Sequence, residues 1–213
     1  MPKKTFFNLP DEKRRNIIDI ALDEFAAHGF AKTSINSIVA RADISKGSIY
    51  QYFDDKKDFY LYLVRFVKEL YVEHRSRVVG DIRGQSLRVS LKKTIMFFHT
   101  FIEEHPNELR FYCAMLGDTS IAFADEIAEI MTDPSIRYVR ELIFSAKERG
   151  ELADGIDENI LTFELVALIT SFQQVSVNPS LCEVYGMDSE SISSLAESAD
   201  RLIDLVMDGI SSR

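Results

Sequence analysis

The fold is decided by residues 33–56, which read TSINSIVARADISKGSIYQYFDDK. Either Thr33 or Ser34 can cap one short run with apolar residues at helical spacing, and Ser45 stands directly before a second such run. Serine is a preferred N-terminal cap, so both runs are predicted to be helices. Asp55 caps a third run, and Asp58 three residues later resembles a capping box. The stretch therefore predicts two short helices joined by a tight turn, followed at once by the start of a longer helix.

Outside this stretch the apolar residues also recur mostly at helical spacing. The 9 glycines and 5 prolines are few, and no strand-like alternation of useful length is present, so we predict an all-α protein of nine or ten helices. The first dozen residues are predicted to be a short basic arm. The further predicted helices cover about residues 10–28, 56–79, 86–104, 106–116, 121–131, 135–149, 157–177 and 189–210. Residues 132–134, ending in Pro134, are predicted to interrupt or kink the helical pattern around them.

Composition and hydropathy limit the class of protein. The sequence has no run of 18 apolar residues, so no membrane span is expected. Its first residues lack the apolar stretch of a signal peptide. Cys113 and Cys182 lie in helical patterns without a metal-site or disulfide spacing, which is typical of reduced thiols. We therefore expect a cytoplasmic protein.

The charge is divided unevenly along the chain. The formal net charge of −9 by itself argues against a nucleic-acid partner. Residues 1–57, however, hold ten Lys or Arg and eight Asp or Glu, whereas the remainder holds fifteen and twenty-six. A mildly basic N-terminal unit on an acidic body is typical of a protein that meets DNA with one end only.

The second short helix has the features of a DNA-reading helix. A helix-turn-helix lays its second helix in the major groove, and residues near its N-terminus reach the base edges. Lys46 and Ser48 occupy that position, and Gly47 allows the backbone to approach a phosphate closely. Tyr50 and Tyr52 offer hydroxyl groups for phosphate contacts. Each of these side chains taken alone is more often a solvated surface residue, and only their combination indicates DNA binding.

This part of the chain resembles the TetR family of bacterial transcription regulators. The resemblance covers about residues 10–60, and two positions depart from the usual pattern. Asp43 stands where a turn glycine is usual, and Lys57 stands where glutamate is common. The residues that carry the resemblance are Ala21, Phe25, Gly29, Phe30, Thr33, Ser34, Ile38, Val39, Ala40, Ala42, Ile44, Ser45, Gly47, Ile49, Tyr50, Tyr52, Phe53, Lys56 and Asp58.

The resemblance implies an N-terminal three-helix helix-turn-helix DNA-binding domain over residues 1–55. A fourth helix would link it to a larger helical effector-binding and dimerisation domain over residues 56–213. By position, Asn36, Lys46 and Ser48 match residues that read bases. The residues that match phosphate contacts are Ser34, Gly47, Tyr50, Tyr52 and Lys56. Lys56 is unfavourable for the dipole of the helix that it begins, which a bound anion would offset.

The last two predicted helices supply a candidate dimer interface. The helix over 157–177 has almost no polar face, so it must be covered on all sides. We expect an isologous four-helix interface formed by both helices of each subunit. Its predicted residues are Phe163, Val166, Ile169, Leu195, Ala199, Leu202, Ile203 and Val206.

Aromatic residues are dense between Met96 and Met115, which suggests an apolar pocket for a small effector. An ordinary packed core is an equally good interpretation for each of these residues taken singly. The candidate pocket residues are Phe97, Phe101, Phe111, Tyr112, Met115, Phe144, Phe172 and Gln173.

The sequence as a whole predicts an effector-responsive, homodimeric repressor of a pseudo-palindromic DNA operator, without cofactor, metal or enzymatic activity. The effector would shift the fourth helix and change the separation of the two recognition helices. One alternative is a DNA-binding factor of the same fold without an effector, in an architectural or division-linked role. A remote alternative is a metal-dependent helical protein that uses His99 and Glu103, which are spaced i, i+4.

Overall fold

The computed structural model describes residues 2–188 and 191–210, without the side chains of residues 132–135. In these ranges the chain forms eleven α-helices, which confirms the all-α prediction. No helix within them has the length and apolar character that crossing a membrane requires. The helices are α1 (Lys4–Phe7), α2 (Asp11–Lys32), α3 (Ile35–Arg41), α4 (Lys46–Tyr52), α5 (Lys56–Val79), α6 (Leu87–Glu104), α7 (Pro106–Gly117), α8 (Ala124–Glu148), α9 (Glu158–Ser176), α10 (Pro179–Val184) and α11 (Ile192–Ile210).

The predicted capping residues are confirmed. The Ser34 hydroxyl accepts from the Asn36 N–H at 3.2 Å, and the Ser45 hydroxyl accepts from the Ser48 N–H at 3.2 Å. At the start of α5, the Asp58 N–H donates to Asp55 Oδ1 at 2.7 Å. The Asp58 carboxylate accepts from the Asp54 N–H at 3.2 Å, one residue before the cap, so two side-chain bonds close the first turn of α5 in an arrangement similar to a capping box.

Three elements differ from the sequence prediction. Helix α8 runs through Pro134 as one helix, so a restart at this proline is wrong. A proline inside a helix removes one hydrogen bond, but buried apolar residues such as Ile127 and Val139 continue on either side of it. The predicted basic arm contains helix α1, and the loop before the last helix contains the short α10.

The first compact unit runs to Tyr71 and again from Glu104 to Met131. Its core joins α2, α3, α4, the first part of α5 and α7 around buried phenylalanines, among them Phe25, Phe53 and Phe111. Helix α7 packs directly against α2. The helix-turn-helix is therefore built into a core larger than three helices.

The second compact unit comprises residues 72–103 and the described residues from 132 onward. Its core is formed by α6, the C-terminal part of α8, α9 and α11, with Leu91, Leu142 and Leu165 at its centre. This division of the chain differs from the predicted boundary after residue 55 because α7 packs on α2. The domain assignment itself stays a prediction.

Gly29 breaks α2 where the sequence predicts the end of that helix. Its backbone has φ 69° and ψ 170°, a region that only glycine adopts readily. The next residue, Phe30, donates its N–H to Asp118 Oδ2 at 3.1 Å. A Cβ at Gly29 would lie 3.0 Å from that same carboxylate oxygen. The chain reversal between α2 and α3 therefore depends on a glycine here.

We expect Gly29→Ala to lower the free energy of unfolding by about 1–3 kcal/mol, because it forces an unfavourable backbone conformation and crowds Asp118. Urea denaturation followed by circular dichroism measures this. Gly117→Ala is the matched control, since Gly117 has ordinary φ and an added Cβ would meet nothing within 4 Å. Equal stabilities of the two variants would contradict a backbone requirement at Gly29.

Candidate nucleic-acid interface

Helices α3 and α4 form a helix-turn-helix. Between them, the Ile44 N–H donates to the Val39 carbonyl at 3.0 Å, and the Ala42 N–H donates to the Ile38 carbonyl at 2.9 Å. Asp43 stands in place of the usual turn glycine. Its φ of 51° lies in the left-handed region, as expected for this position. The turn therefore keeps its tight geometry with an aspartate.

The inner side of this motif is fixed by packing. Ile38, Ile49 and Phe53 are buried in the first core, and the Phe53 ring stacks 4.3 Å from the Phe59 ring of α5. These contacts hold α4 against the head of the long helix. The opposite side of α4 is left facing solvent.

The solvent-facing side carries most of the predicted DNA contacts. Asn36 on α3 and Lys46, Gly47 and Tyr50 on α4 are exposed. Ser48 is half-buried, and its hydroxyl lies 2.8 Å from the Ser45 hydroxyl. Ser34 is exposed, but its hydroxyl caps α3. The arrangement suits a helix whose N-terminal half enters a groove.

Tyr52 is placed differently from the prediction. It is only 8% exposed, and its ring centroid lies 5.6 Å from that of Phe6. Two residues in an α-helix are separated by about 200° around the axis, so Tyr50 and Tyr52 point to opposite sides. Tyr50 therefore faces solvent, whereas Tyr52 belongs to the core, and burial disfavours the predicted phosphate contact of Tyr52.

Lys56 has partners within the protein. Its ammonium group donates to the carbonyls of Phe30 at 2.8 Å, Ala31 at 3.3 Å and Thr33 at 3.1 Å. It also lies 4.6 Å from the centroid of the Phe30 ring. An ammonium has three donors, so a phosphate would have to displace one of these bonds. The phosphate contact of Lys56 stays a prediction, and the structure gives the residue a second role in capping the end of α2.

An ion-pair group missed by the sequence prediction ties α3 to α2. Arg41 Nη1 lies 2.8 Å from Asp23 Oδ2 and 2.7 Å from Glu24 Oε1. Burial acts to raise the pKa of Glu24, but hydrogen bonds from Arg41 and Ser37 outweigh it and hold that pKa below its ordinary value. This link is complete at neutral pH and is lost as the pH falls through the lowered pKa. In the sequence, Asp23, Glu24 and Arg41 each resemble an ordinary solvated surface residue, so the group is not visible there.

The predicted effector-pocket residues do not form one group. Phe111 and Met115 are buried in the first core, and Tyr112 packs against that core. Phe144 is exposed. The remaining four residues, Phe97, Phe101, Phe172 and Gln173, are buried in the second unit. The predicted pocket therefore combines buried residues of two different units with one surface residue.

The predicted interface residues differ in how far the chain itself already buries them. Four of them, Ile169, Leu195, Ala199 and Ile203, are buried within the chain itself, so no partner is needed to cover them. Val166, Leu202 and Val206 are partly buried, whereas Phe163 is 72% exposed. Ile160 on α9 and Leu205 on α11 are further exposed apolar residues that the prediction missed.

Comparison with known proteins places the chain in a family. The sequence profile described as bacterial regulatory proteins, tetR family, matches residues 17–63, a range that contains α3 and α4. The chain is 26% identical over 203 residues to the HTH-type transcriptional regulator YerO of Bacillus subtilis (strain 168), covering 92% of this chain and 65% of that protein. It is 29% identical over 119 residues to YuxN of the same organism, covering 55% and 39%. The matched part thus spans less than two thirds of these two relatives.

Solved structures agree with this placement. A TetR family transcriptional regulator from Chloroflexus aurantiacus J-10-FL is 29% identical, with a TM-score of 0.70 and complete coverage of both chains. FadR of Bacillus subtilis, solved in complex with stearoyl-CoA, has a TM-score of 0.69 at 17% identity and covers 92% of this chain and 98% of its own. At that identity it supports the fold alone. The helix-turn-helix and the matching profile together show that residues 17–63 belong to the TetR family of bacterial regulatory proteins, and the whole chain shares the fold of TetR-family regulators.

Proposed function

We propose that the chain is a homodimeric transcriptional repressor that binds a pseudo-palindromic operator and releases it when a small, largely apolar effector binds the second unit. The observation that carries the proposal is the exposed side of the helix-turn-helix. Asn36, Lys46 and Tyr50 face solvent there, while Ile38 and Ile49 hold the motif in the core. In this proposal the protein acts in the cytoplasm and has no enzymatic activity.

Repression and an effector are supported by relatives. The probable acrEF/envCD operon repressor of Escherichia coli (strain K12) is 22% identical over 152 residues, covering 70% of this chain and 68% of its own. The FadR structure contains stearoyl-CoA. In the present chain the second unit offers buried aromatic residues and a partly buried polar pair, in which the Thr94 and Tyr138 hydroxyls lie 2.7 Å apart. Residues of these two kinds would suit a ligand with an apolar body and one polar end.

Phe97, Phe101, Phe172 and Gln173 are the predicted effector contacts that this proposal keeps. All four lie in the second unit and are buried there. The rings of Phe97 and Phe101 lie 6.2 Å and 5.4 Å from that of His74, so a polar ring borders the aromatic group.

The two alternatives have less support. The stearoyl-CoA in the FadR structure supports an effector, and no comparable observation supports a DNA-binding factor without one. For the metal hypothesis, His99 and Glu103 belong to no cluster of three metal-ligand side chains within the described ranges. The relatives YuxN and YerO are described as transcriptional regulators, and the acrEF/envCD protein is described as a probable operon repressor.

Selection of bound DNA from a random pool tests the proposal. We expect an inverted repeat whose half-site centres lie about 34–36 Å apart, or a multiple of that distance. Stearoyl-CoA serves as a probe of the effector, and binding should raise the melting temperature and weaken operator binding. Failure to enrich any inverted repeat would overturn the DNA-binding part. An unchanged melting temperature would exclude long-chain acyl-CoA as the effector class.

Lys46 gives a prediction at the level of single bases. We expect Lys46→Ala to reduce discrimination between the selected operator and a variant altered at one base pair by about 1–3 kcal/mol, because a lysine contact to guanine is lost. Lys13→Ala removes the same charge from the exposed surface of α2 and should leave discrimination unchanged. Fluorescence anisotropy with both duplexes measures this. An equal loss on both duplexes would assign Lys46 to phosphate rather than to a base.

A further inference from the structure

The N-terminal segment Lys3–Phe6 lies along the C-terminal end of recognition helix α4. The Lys3 N–H donates to the Tyr52 carbonyl at 2.7 Å, and the Lys3 ammonium donates to the Tyr50 carbonyl at 3.0 Å. The Thr5 hydroxyl donates to the Gln51 carbonyl at 2.5 Å. Three successive carbonyls of α4 are thus bound by residues more than 40 positions earlier in the chain.

These carbonyls are the ones that an isolated helix leaves without partners. The last four carbonyls of any α-helix have no N–H to accept from within the helix. Helix α4 has seven residues, a length at which helices are not stable on their own. A cation near a helix C-terminus also opposes the negative end of the dipole. The segment therefore supplies both the missing donors and a favourable charge.

The segment is fixed in place by further contacts. Phe6 is fully buried, and its ring centroid lies 4.9 Å from that of Phe53 and 5.4 Å from that of Tyr62 on α5. Lys3 Nζ also lies 2.8 Å from Asp54 Oδ1. The hydrogen bond and charge of Lys3 lower the pKa of Asp54. Through Phe6 and Lys3 the segment joins the end of α4 to the core and to the start of α5.

We propose that the segment Lys3–Phe6 is a positioning element for DNA recognition, which orders the C-terminal turn of α4 and sets the direction of the Tyr50 side chain. Lys3 and Thr5 are positioning residues that act through the backbone of α4. The proposal rests on the proposed function, since it assigns α4 to the operator. Sequence-specific binding should depend on this order more than non-specific binding does, because non-specific binding is mainly electrostatic.

Hydrogen exchange of the free, full-length protein tests the structural half. We expect Lys3→Met and Thr5→Val to speed exchange of the α4 amides of residues 50–53 by roughly three- to tenfold, as expected for one lost hydrogen bond. Lys4→Met removes the same charge from an exposed side chain, and Thr5→Ser keeps the hydroxyl, so both should exchange like the unaltered protein. Equal exchange in Lys3→Met and Lys4→Met would overturn the proposal.

DNA binding tests the functional half with the same four variants. The probes are the inverted repeat selected by the unaltered chain and a scrambled duplex of equal length. Lys3→Met and Thr5→Val should weaken binding to the repeat at least threefold more than to the scrambled duplex. The same loss in Lys4→Met would overturn the proposal in favour of a simple charge effect. If the unaltered chain selects no repeat, the proposed function fails, whereas the exchange result still decides whether the segment orders α4.

Discussion

Replacing Arg15 with methionine is expected to lower the free energy of unfolding by about 3 kcal/mol, because it leaves a buried carboxylate without its cation. Arg15 on α2 is paired with Glu108 on α7 and, at 2.8 Å, with Asp19 on α2. The Glu108 side chain is only 2% exposed. Hydrogen bonds and charges from both carboxylates outweigh the effect of burial and raise the pKa of Arg15. The pair thus joins α2 to α7, which pack directly against each other in the first unit.

Arg110→Met is the matched control for this prediction, since it removes a second arginine from the same pair of helices. Arg110 is 54% exposed and lies 3.0 Å from Asp23, so its removal should cost about 0–1 kcal/mol. Chemical denaturation of both variants gives the comparison. In the double variant Arg15→Met, Glu108→Leu the buried Glu108 carboxylate is removed together with its cation, and most of the lost stability should return. Equal costs of the two single changes would show that burial of Glu108 does not govern this contact.

The parts of the fold that the sequence predicts correctly are those determined by near neighbours. Ser34 and Ser45 bind N–H groups two or three residues ahead of them, and Asp55 binds the N–H of Asp58. These bonds depend on a few consecutive residues, so the starts of α3, α4 and α5 follow from residue type alone. The same local rules place the turn at Asp43 and the end of the regular helix at Gly29.

The parts that the sequence prediction missed depend on distant partners. Lys56 is exposed by helical spacing, but its ammonium is drawn to carbonyls 23 to 26 residues earlier. The sequence predicts Phe111 and Met115 as pocket residues, but α7 packs against α2 and buries both side chains in the first core. In the sequence, Lys3 and Thr5 resemble an ordinary polar arm, because only the fold brings them next to the end of α4. Hydrophobic spacing identifies a buried face, but it does not say which core buries it.

We expect Phe163→Glu to convert the proposed dimer into a monomer and to weaken operator binding by about 10²- to 10⁴-fold, because two linked half-site contacts become one. Phe163 is 72% exposed on α9, and Ile160 lies one turn before it on the same exposed side. Leu205 is exposed on α11. An isologous contact brings the same residues together from both subunits, so each substitution places two carboxylates in one apolar interface. Burying unpaired charges there is strongly unfavourable.

Val184→Glu provides the control, because Val184 is an equally exposed apolar residue, 76% exposed, on the short helix α10. Both variants gain one negative charge on an acidic chain, so a general charge effect on DNA affinity would appear in both. Sedimentation velocity at micromolar concentration reports the subunit number, and anisotropy with the selected repeat reports affinity. A dimeric Phe163→Glu protein would place the interface elsewhere. A monomeric variant that keeps full affinity would show that one subunit is enough for recognition and would contradict the proposal that the two subunits bind an inverted repeat together.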